Sequence, residues 1–302
     1  MTKSFKKLES NISYYAKKPT ACPVCKNEFP REDMLSGGGR MIAGDLTDEL
    51  RRTYEPSAKY GPVYPLMYTV GVCPECFTAF FWSDFTEITE ADTFTACLER
   101  QEKNKAAVAA VFPYYDFNRA RTLLDGAAAH FLALLCYENA AKSHSPTTKQ
   151  GILALRLAWL SGDMNRLCPG RNYDYVQQVF YRKALFFYTQ ALEYEAGDTE
   201  NFDGIANFGP DIDKNYGYTG VLYLACLLEL KYGQREDMPV RLQTLGRHKR
   251  NIAKVFGLGK ASKNKPLPLL EHARALYDNI KKDQQDANMP DLDLDFEDDE
   301  QA

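Results

Sequence analysis

Two pairs of cysteines with the same Cys-Pro-x-Cys spacing are the residues in this 302-residue chain best placed to bind a metal or to react. The first pair is Cys22 and Cys25, and the second is Cys73 and Cys76. A Cys-x-x-Cys turn places two sulfur atoms on one side of a tight loop, at the spacing of two corners of a tetrahedron. Two such turns supply all the ligands of a tetrahedral zinc ion. The sequence therefore predicts that the two turns are halves of one Zn²⁺ site.

The predicted ion has a structural role, because four thiolates fill its coordination shell and leave no position for water or substrate. Four thiolates around Zn²⁺ carry a net charge of −2, which Lys26 and Arg31 near the first turn could partly offset. A dithiol redox centre is the alternative interpretation of a Cys-x-x-Cys turn, although it needs only one pair.

The other residues with reactive side chains form no recognisable catalytic pattern. No histidine is spaced for a nucleophile–base pair, and the chain has no phosphate-binding glycine loop and no His-Glu-x-x-His helix. We expect the remaining cysteines to be isolated and buried, since most lie in helical apolar patterns; they are Cys97, Cys136, Cys168 and Cys226. One enzymatic hypothesis stays open, with a site near Arg40, Asp45 and Asp48.

Composition indicates a globular protein that spans no membrane. Hydrophobic residues make up 45% and charged residues 26% of the chain, and no apolar run has the length of a membrane helix. The first twenty residues lack the apolar core of a secretory signal, so we predict a cytoplasmic protein. Cysteines in that compartment are kept reduced, which favours metal binding or burial over disulfides.

The pattern along the chain predicts a mainly α protein with a small β-containing module near its N-terminus. Thr89 and Asp92 are spaced for a cap at the first helix, and apolar residues recur at helical spacing in six segments after residue 116. We predict four segments in order: a polar lead-in (1–20), a zinc-ribbon-like module with four cysteine ligands (21–88), a helical domain (89–285) and an acidic disordered tail (286–302).

The helical domain is predicted to be tetratricopeptide-like. Each helix has one apolar stripe and no strands to cover it, so antiparallel helical hairpins are the simplest arrangement. The residues Ala184, Tyr188, Ala191 and Leu192 match the second helix of a tetratricopeptide repeat. Pro169 and Gly170 fall where the first helix of that repeat would run, so a regular repeat array is not predicted.

Taken together, these features resemble a bacterial family, domain of unknown function 2225, over most of the chain. The resemblance lies in Cys22-Pro23-Val24-Cys25, in Arg40, Asp45 and Asp48, in PVYPLMYTVGVCPECFTAFFWSDF (62–85) and in NYGYTGVLYLACLLELKYG (215–233). Phe77 departs from the family, which usually has glycine after the second turn. The resemblance implies zinc and a tetratricopeptide-like helical body, and it implies no activity.

The function predicted from these features is a non-enzymatic cytoplasmic adaptor that binds a protein or peptide partner and contains a structural zinc site. The leading alternative is a nucleic-acid-binding regulator that uses the zinc module and the basic stretch 247–265. Seven basic residues lie in that stretch: Arg247, Lys249, Arg250, Lys254, Lys260, Lys263 and Lys265. The chain as a whole has a net charge of −4, which argues against nucleic acid.

Overall fold

The computed structural model describes residues 12–256 and 266–286. The described chain divides into two compact units, one up to Val221 and one from Leu222 onward. The predicted acidic tail lies outside the described residues apart from Asp286, which ends the last helix. The last three lysines of the basic stretch and most of the lead-in also lie outside the described residues. Within the lead-in, Ser13–Tyr15 forms a strand. The predicted domain boundaries stay predictions.

Short antiparallel hairpins make up the N-terminal part of the first unit. Within the described residues, eight strands form four two-stranded sheets, which pair β1 with β4, β2 with β3, β5 with β6, and β7 with β8. The strands are β1 Ser13–Tyr15, β2 Thr20–Ala21, β3 Glu28–Phe29, β4 Glu32–Met34, β5 Ile42–Leu46, β6 Arg52–Glu55, β7 Val70–Val72 and β8 Ala79–Phe81. Ladders this short are only marginally stable by themselves, so the module needs other support.

Helices form the rest of the first unit. The short helices α1 Trp82–Phe85, α2 Ala91–Glu99 and α3 Gln101–Val111 lead into α4 Leu123–Tyr137, α5 Pro146–Leu167 and α6 Tyr173–Ala196. The prediction of a cap at Thr89 is wrong, because α2 begins at Ala91 after Glu90 without a side-chain cap. A capping box instead starts α4, where the side chains of Thr122 and Asp125 each accept from the other's backbone N–H. The mainly α fold class with a small β-containing module is confirmed.

Helices α5 and α6 pack as an antiparallel hairpin, which fits the small residues on α5. Gly151 faces the ring of Tyr188, and Gly162 faces the side chain of Gln177. The later glycine on α5 faces the earlier residue on α6, and the spacing between the two glycines equals the spacing between their two partners. Antiparallel packing requires this relation. Pro169 and Gly170 lie in the turn between the helices, which explains why they interrupt the helical pattern. Helix α4 also packs against α5.

The second unit contains the end of α7 Gly217–Tyr232, then α8 Met238–Phe256 and α9 Leu267–Asp286. Helix α8 packs against α9, and Arg241 joins Asp283 at 3.2 Å. Most apolar positions of the predicted stripes are buried here, including Leu245, Ile252 and Ile280, whereas Met238 at the start of α8 is exposed. None of the helices in the described ranges is long and apolar enough to cross a membrane.

Candidate metal centre

The structure brings the four predicted ligands together. Their sulfur atoms all lie within 4.8 Å of one another, and the Sγ–Sγ distances are 3.5 Å for Cys22–Cys76 and 3.6 Å for Cys25–Cys73. Zn–S bonds of about 2.3 Å in a tetrahedron place sulfurs about 3.8 Å apart. The observed spacings lie close to that value, so one ion could bind all four sulfurs.

Each cysteine pair sits on a tight turn with the same backbone hydrogen bonds. In the first, Cys22 N–H donates to Asn27 O at 2.8 Å, and Lys26 N–H donates to Cys22 O at 3.1 Å. In the second, the N–H of Cys73 donates to Thr78 O at 2.9 Å, and that of the residue after Cys76 donates to Cys73 O at 3.0 Å. The turn connects β2 to β3 in one case and β7 to β8 in the other.

The residue after each second cysteine has a left-handed backbone. The φ angle is +63° at Lys26 and +58° at Phe77, a region that favours glycine. A glycine would adopt this φ angle without the strain that a Cβ atom brings. Phe77 keeps the turn despite its side chain, and its ring packs edge-on against Tyr115 at 6.2 Å and Phe117 at 6.0 Å.

The four thiols interact strongly with one another. Hydrogen bonds from Cys22 and Cys73 lower the pKa of Cys76, which also lies 3.2 Å from the Thr78 hydroxyl. Hydrogen bonds with Cys73 and Cys76, together with burial, raise the pKa of the Cys22 thiol. A bound divalent cation would favour the thiolate form of all four sulfurs.

Of the two basic residues expected to offset the cluster's charge, one bonds to the first turn. Lys26 Nζ donates to Pro23 O at 2.6 Å. Arg31 instead pairs with Asp33 at 3.0 Å and stacks over the Trp82 ring at 4.7 Å.

Aromatic residues after the second turn pack the hairpin onto the helices. The Phe80 ring lies 5.0 Å from the Tyr137 ring of α4, and Phe80 and Phe85 are fully buried. An ion pair adds to this contact, since Lys149 Nζ of α5 lies 2.5 Å from Asp84 Oδ2, which also accepts from the Tyr137 hydroxyl. The helices thus give the small module the support that its sheets lack.

The other four cysteines are all buried, as predicted, but the prediction that they are isolated is wrong. A hydrogen bond from Cys136 lowers the pKa of Cys97, and Cys136 Sγ lies 3.9 Å from Phe77 O beside the second turn. In the second unit, Cys226 Sγ lies 3.2 Å from His248 Nδ1. Helical periodicity cannot reveal such pairs, because they join different helices.

The Cys226–His248 pair does not have the electrostatics of an activated thiolate. Burial raises the pKa of the Cys226 thiol, and burial lowers the pKa of His248 to about 4. Both groups are therefore neutral near pH 7, and both are buried. A nucleophilic cysteine requires a lowered thiol pKa, a histidine pKa that is not lowered, and access to substrate.

The residues of the enzymatic hypothesis are not assembled into a site. Arg40 donates to Gly37 O at 3.1 Å and stacks over the Tyr60 ring at 5.0 Å. Asp45 and Asp48 are exposed. A different group of charged residues converges around a cavity of about 450 Å³ between the β5–β6 hairpin, residues 62–66 and α5. Sequence reasoning missed it because its residues come from distant segments.

Comparison with known proteins agrees with the resemblance in the sequence. The model of a family described as uncharacterized protein conserved in bacteria (DUF2225) matches residues 15–280. The chain belongs to the DUF2225 family. A protein of Borreliella burgdorferi (strain B31), named uncharacterized protein, is 38% identical over 273 residues, which cover 90% of this chain and 97% of that protein. No solved structure matches the chain. The family match includes all four cysteines of the cluster.

Proposed function

We propose that this DUF2225 protein is a non-enzymatic cytoplasmic adaptor for a protein segment, and that one structural Zn²⁺ holds its N-terminal module together. The geometry of Cys22, Cys25, Cys73 and Cys76 carries the proposal. All four donors are sulfur, so they fit zinc in a closed tetrahedral site with no position left for a substrate.

The helical body supports the adaptor function. Helices α4, α5 and α6 pack in sequence, and α5–α6 is an antiparallel hairpin, the unit from which tetratricopeptide-like partner-binding surfaces are built. Tyr175 and Phe186 of α6 are 71% and 58% exposed. Large exposed aromatics of this kind are more frequent at protein-binding surfaces than elsewhere on protein surfaces.

The zinc half of the proposal is tested by elemental analysis of the freshly purified chain and two variants. We expect about one zinc per chain in the wild type, and loss of most zinc in Cys73→Ser, because a hydroxyl replaces a thiolate ligand. The control Cys168→Ser makes the same exchange at a buried cysteine outside the cluster and should keep the metal. Metal-free wild-type protein, or equal zinc in Cys73→Ser, would contradict a four-cysteine site.

The adaptor half is tested by affinity capture from nuclease-treated native lysate. We expect a defined protein to be recovered and then to bind the purified full-length chain in a two-component assay. Recovery of nucleic acid alone from untreated lysate, or robust substrate turnover by the purified chain, would count against an adaptor.

A nucleic-acid-binding regulator remains the second candidate because α8 has a basic face. Arg247, Arg250 and Lys254 are exposed at helical spacing, whereas Lys249 is buried with its ammonium 5.4 Å from the Tyr277 ring. Binding to DNA or RNA would fall steeply with salt and would weaken in Arg247→Gln/Arg250→Gln. Salt-independent or unchanged binding would remove this candidate.

A further inference from the structure

The cavity of about 450 Å³ in the first unit has the size of a small-molecule site. Its walls are formed by the β5–β6 hairpin, by residues 62–66 and by the C-terminal half of α5. Apolar side chains and the tyrosines Tyr54 and Tyr64 line much of it, and guanidinium and carboxylate groups converge on one part of it. Neither the proposed zinc site nor a partner-binding helix face accounts for this combination.

Two arginines share one buried carboxylate in this cavity. Arg51 holds Asp163 through two hydrogen bonds, with Nη1–Oδ1 at 3.3 Å and Nη2–Oδ2 at 2.5 Å. Arg166 Nη2 also bonds Asp163 Oδ1. The Asp163 side chain is only 1% exposed, whereas that of Arg166 is 75% exposed. The Arg166 guanidinium therefore keeps accessible N–H donors beside the cavity that it lines.

The charges that line the cavity sum to an excess of one cation. They are the guanidinium groups of Arg51, Arg52 and Arg166 and the carboxylates of Asp163 and Asp211. The backbone N–H of Arg52 donates to Asp211 at 2.8 Å, and its side chain pairs with Asp213 just outside the lining at 3.1 Å. The buried guanidinium of Arg156 is also outside the lining and acts on Asp211 electrostatically. The positive charge of Arg156 and the negative charge of Asp213 therefore offset each other. The excess positive charge lies at the accessible Arg166.

We propose that this cavity binds a small organic monoanion, a carboxylate with an apolar body. Arg166 would contact the carboxylate, since guanidinium matches that group in shape and charge. The apolar body would lie against Pro65, Val63 and Leu160, and the phenols of Tyr54 and Tyr64 can donate hydrogen bonds. A single excess charge favours a monoanion over a phosphate dianion.

The test uses calorimetric titration of the full-length chain with three probes: benzoate, its neutral isostere benzamide, and phenyl phosphate. We expect saturable binding of benzoate, at least tenfold weaker binding of benzamide, and no preference for phenyl phosphate. The Arg166→Gln variant should bind benzoate about tenfold or more weakly, because it loses a charge-assisted hydrogen bond. The Arg166→Lys variant, which keeps the charge without the planar fork, should fall between.

The matched control is Arg182→Gln, which removes the same charge from an exposed position on α6. It should leave benzoate binding unchanged. Absence of benzoate binding by the wild type, equal loss in both glutamine variants, or tighter binding of phenyl phosphate would overturn the proposal. Since Arg166 is exposed, the variant is expected to fold, and circular dichroism checks this. The result is independent of zinc content and of partner capture.

Discussion

Among single residues, those that follow the cysteines shape the cluster as much as the cysteines themselves. Lys26 and Phe77 both adopt left-handed φ angles, so each turn closes with the same hydrogen bonds although neither residue is glycine. Phe77 offsets its backbone strain by packing its ring against Tyr115 and Phe117 and under Lys105, whose ammonium lies 4.7 Å away.

This balance predicts an unusual order of stability among Phe77 variants. Phe77→Ala loses the ring contacts and keeps a strained φ, whereas Phe77→Gly loses the same contacts and relieves the strain. We expect the glycine variant to be more stable than the alanine variant by about 1 kcal/mol. Urea unfolding of the two variants, matched for metal content, measures the difference. The reverse order would mean that the left-handed turn is absent.

A second prediction for a single residue concerns His130, which is completely buried in α4. Its Nδ1 lies 2.8 Å from Gly126 O, and burial lowers its pKa to about 3. The unfolded chain binds a proton at His130 near its ordinary pKa of about 6.5, and the folded chain does not. The contribution to stability is therefore fully present above that unfolded-state pKa and is lost as the pH falls from there toward 3.

The predicted slope is about 1.4 kcal/mol of unfolding free energy per pH unit below about pH 6. It should be missing in His130→Gln, which cannot titrate, even if that variant is less stable overall. Urea unfolding of wild type and variant at several pH values on either side of about pH 6 gives the difference in slope. Parallel curves for wild type and His130→Gln would contradict the assignment.

Among the elements, α4 approaches the turn at Pro65–Tyr68 too closely for any side chain at Gly126. A Cβ atom there would collide with Met67 Cβ and would lie 2.8 Å from Met67 Cα. Arg121 reinforces the contact from just before α4, since its buried guanidinium donates to Met67 O at 3.0 Å and Val70 O at 2.7 Å. Close approach rather than chain flexibility explains this mid-helix glycine.

Gly126→Ala therefore separates two effects with opposite signs. Helix propensity alone would stabilise the variant by about 1 kcal/mol, whereas overpacking against a backbone atom costs about 1–3 kcal/mol. We expect net destabilisation, measured as a lower urea midpoint. Gly246→Ala on α8 is the control, because a Cβ atom there would meet only the flexible Gln284 side chain, at 3.5 Å. Stabilisation of both variants would show that α4 stands further from Met67.

In the architecture at large, a buried ion pair joins the N-terminal module to the helical body within the first unit. Asp84 lies just after the second cysteine hairpin, Lys149 lies on α5, and their side chains are 10% and 6% exposed. Tyr137 of α4 donates to the same carboxylate oxygen at 2.5 Å. Three elements distant in sequence thus meet at one charge.

Removing only the cation of this pair should be costly. Lys149→Met leaves Asp84 buried without its counter-ion, which costs about 3–5 kcal/mol. The double variant Lys149→Met/Asp84→Asn removes the uncompensated charge, so we expect it to be more stable than Lys149→Met alone. Urea unfolding of Lys149→Met, Asp84→Asn and the double variant measures the free energy of unfolding of each. A double variant as unstable as the sum of its parts would show that the two residues do not interact.

The features that could be predicted from the amino-acid sequence are the local ones. Cysteine spacing and helical periodicity predicted the four clustered sulfurs, the mainly α body and its principal helices, because turns and amphipathic faces depend on residues a few positions apart. The meeting of the two cysteine turns could also be predicted, because a tetrahedral zinc ion needs four ligands. Other contacts across long separations became evident only in the folded chain. The Cys226–His248 contact, the Asp84–Lys149 pair and the cavity around Asp163 join segments whose proximity depends on how the helices pack, and no local pattern encodes that packing.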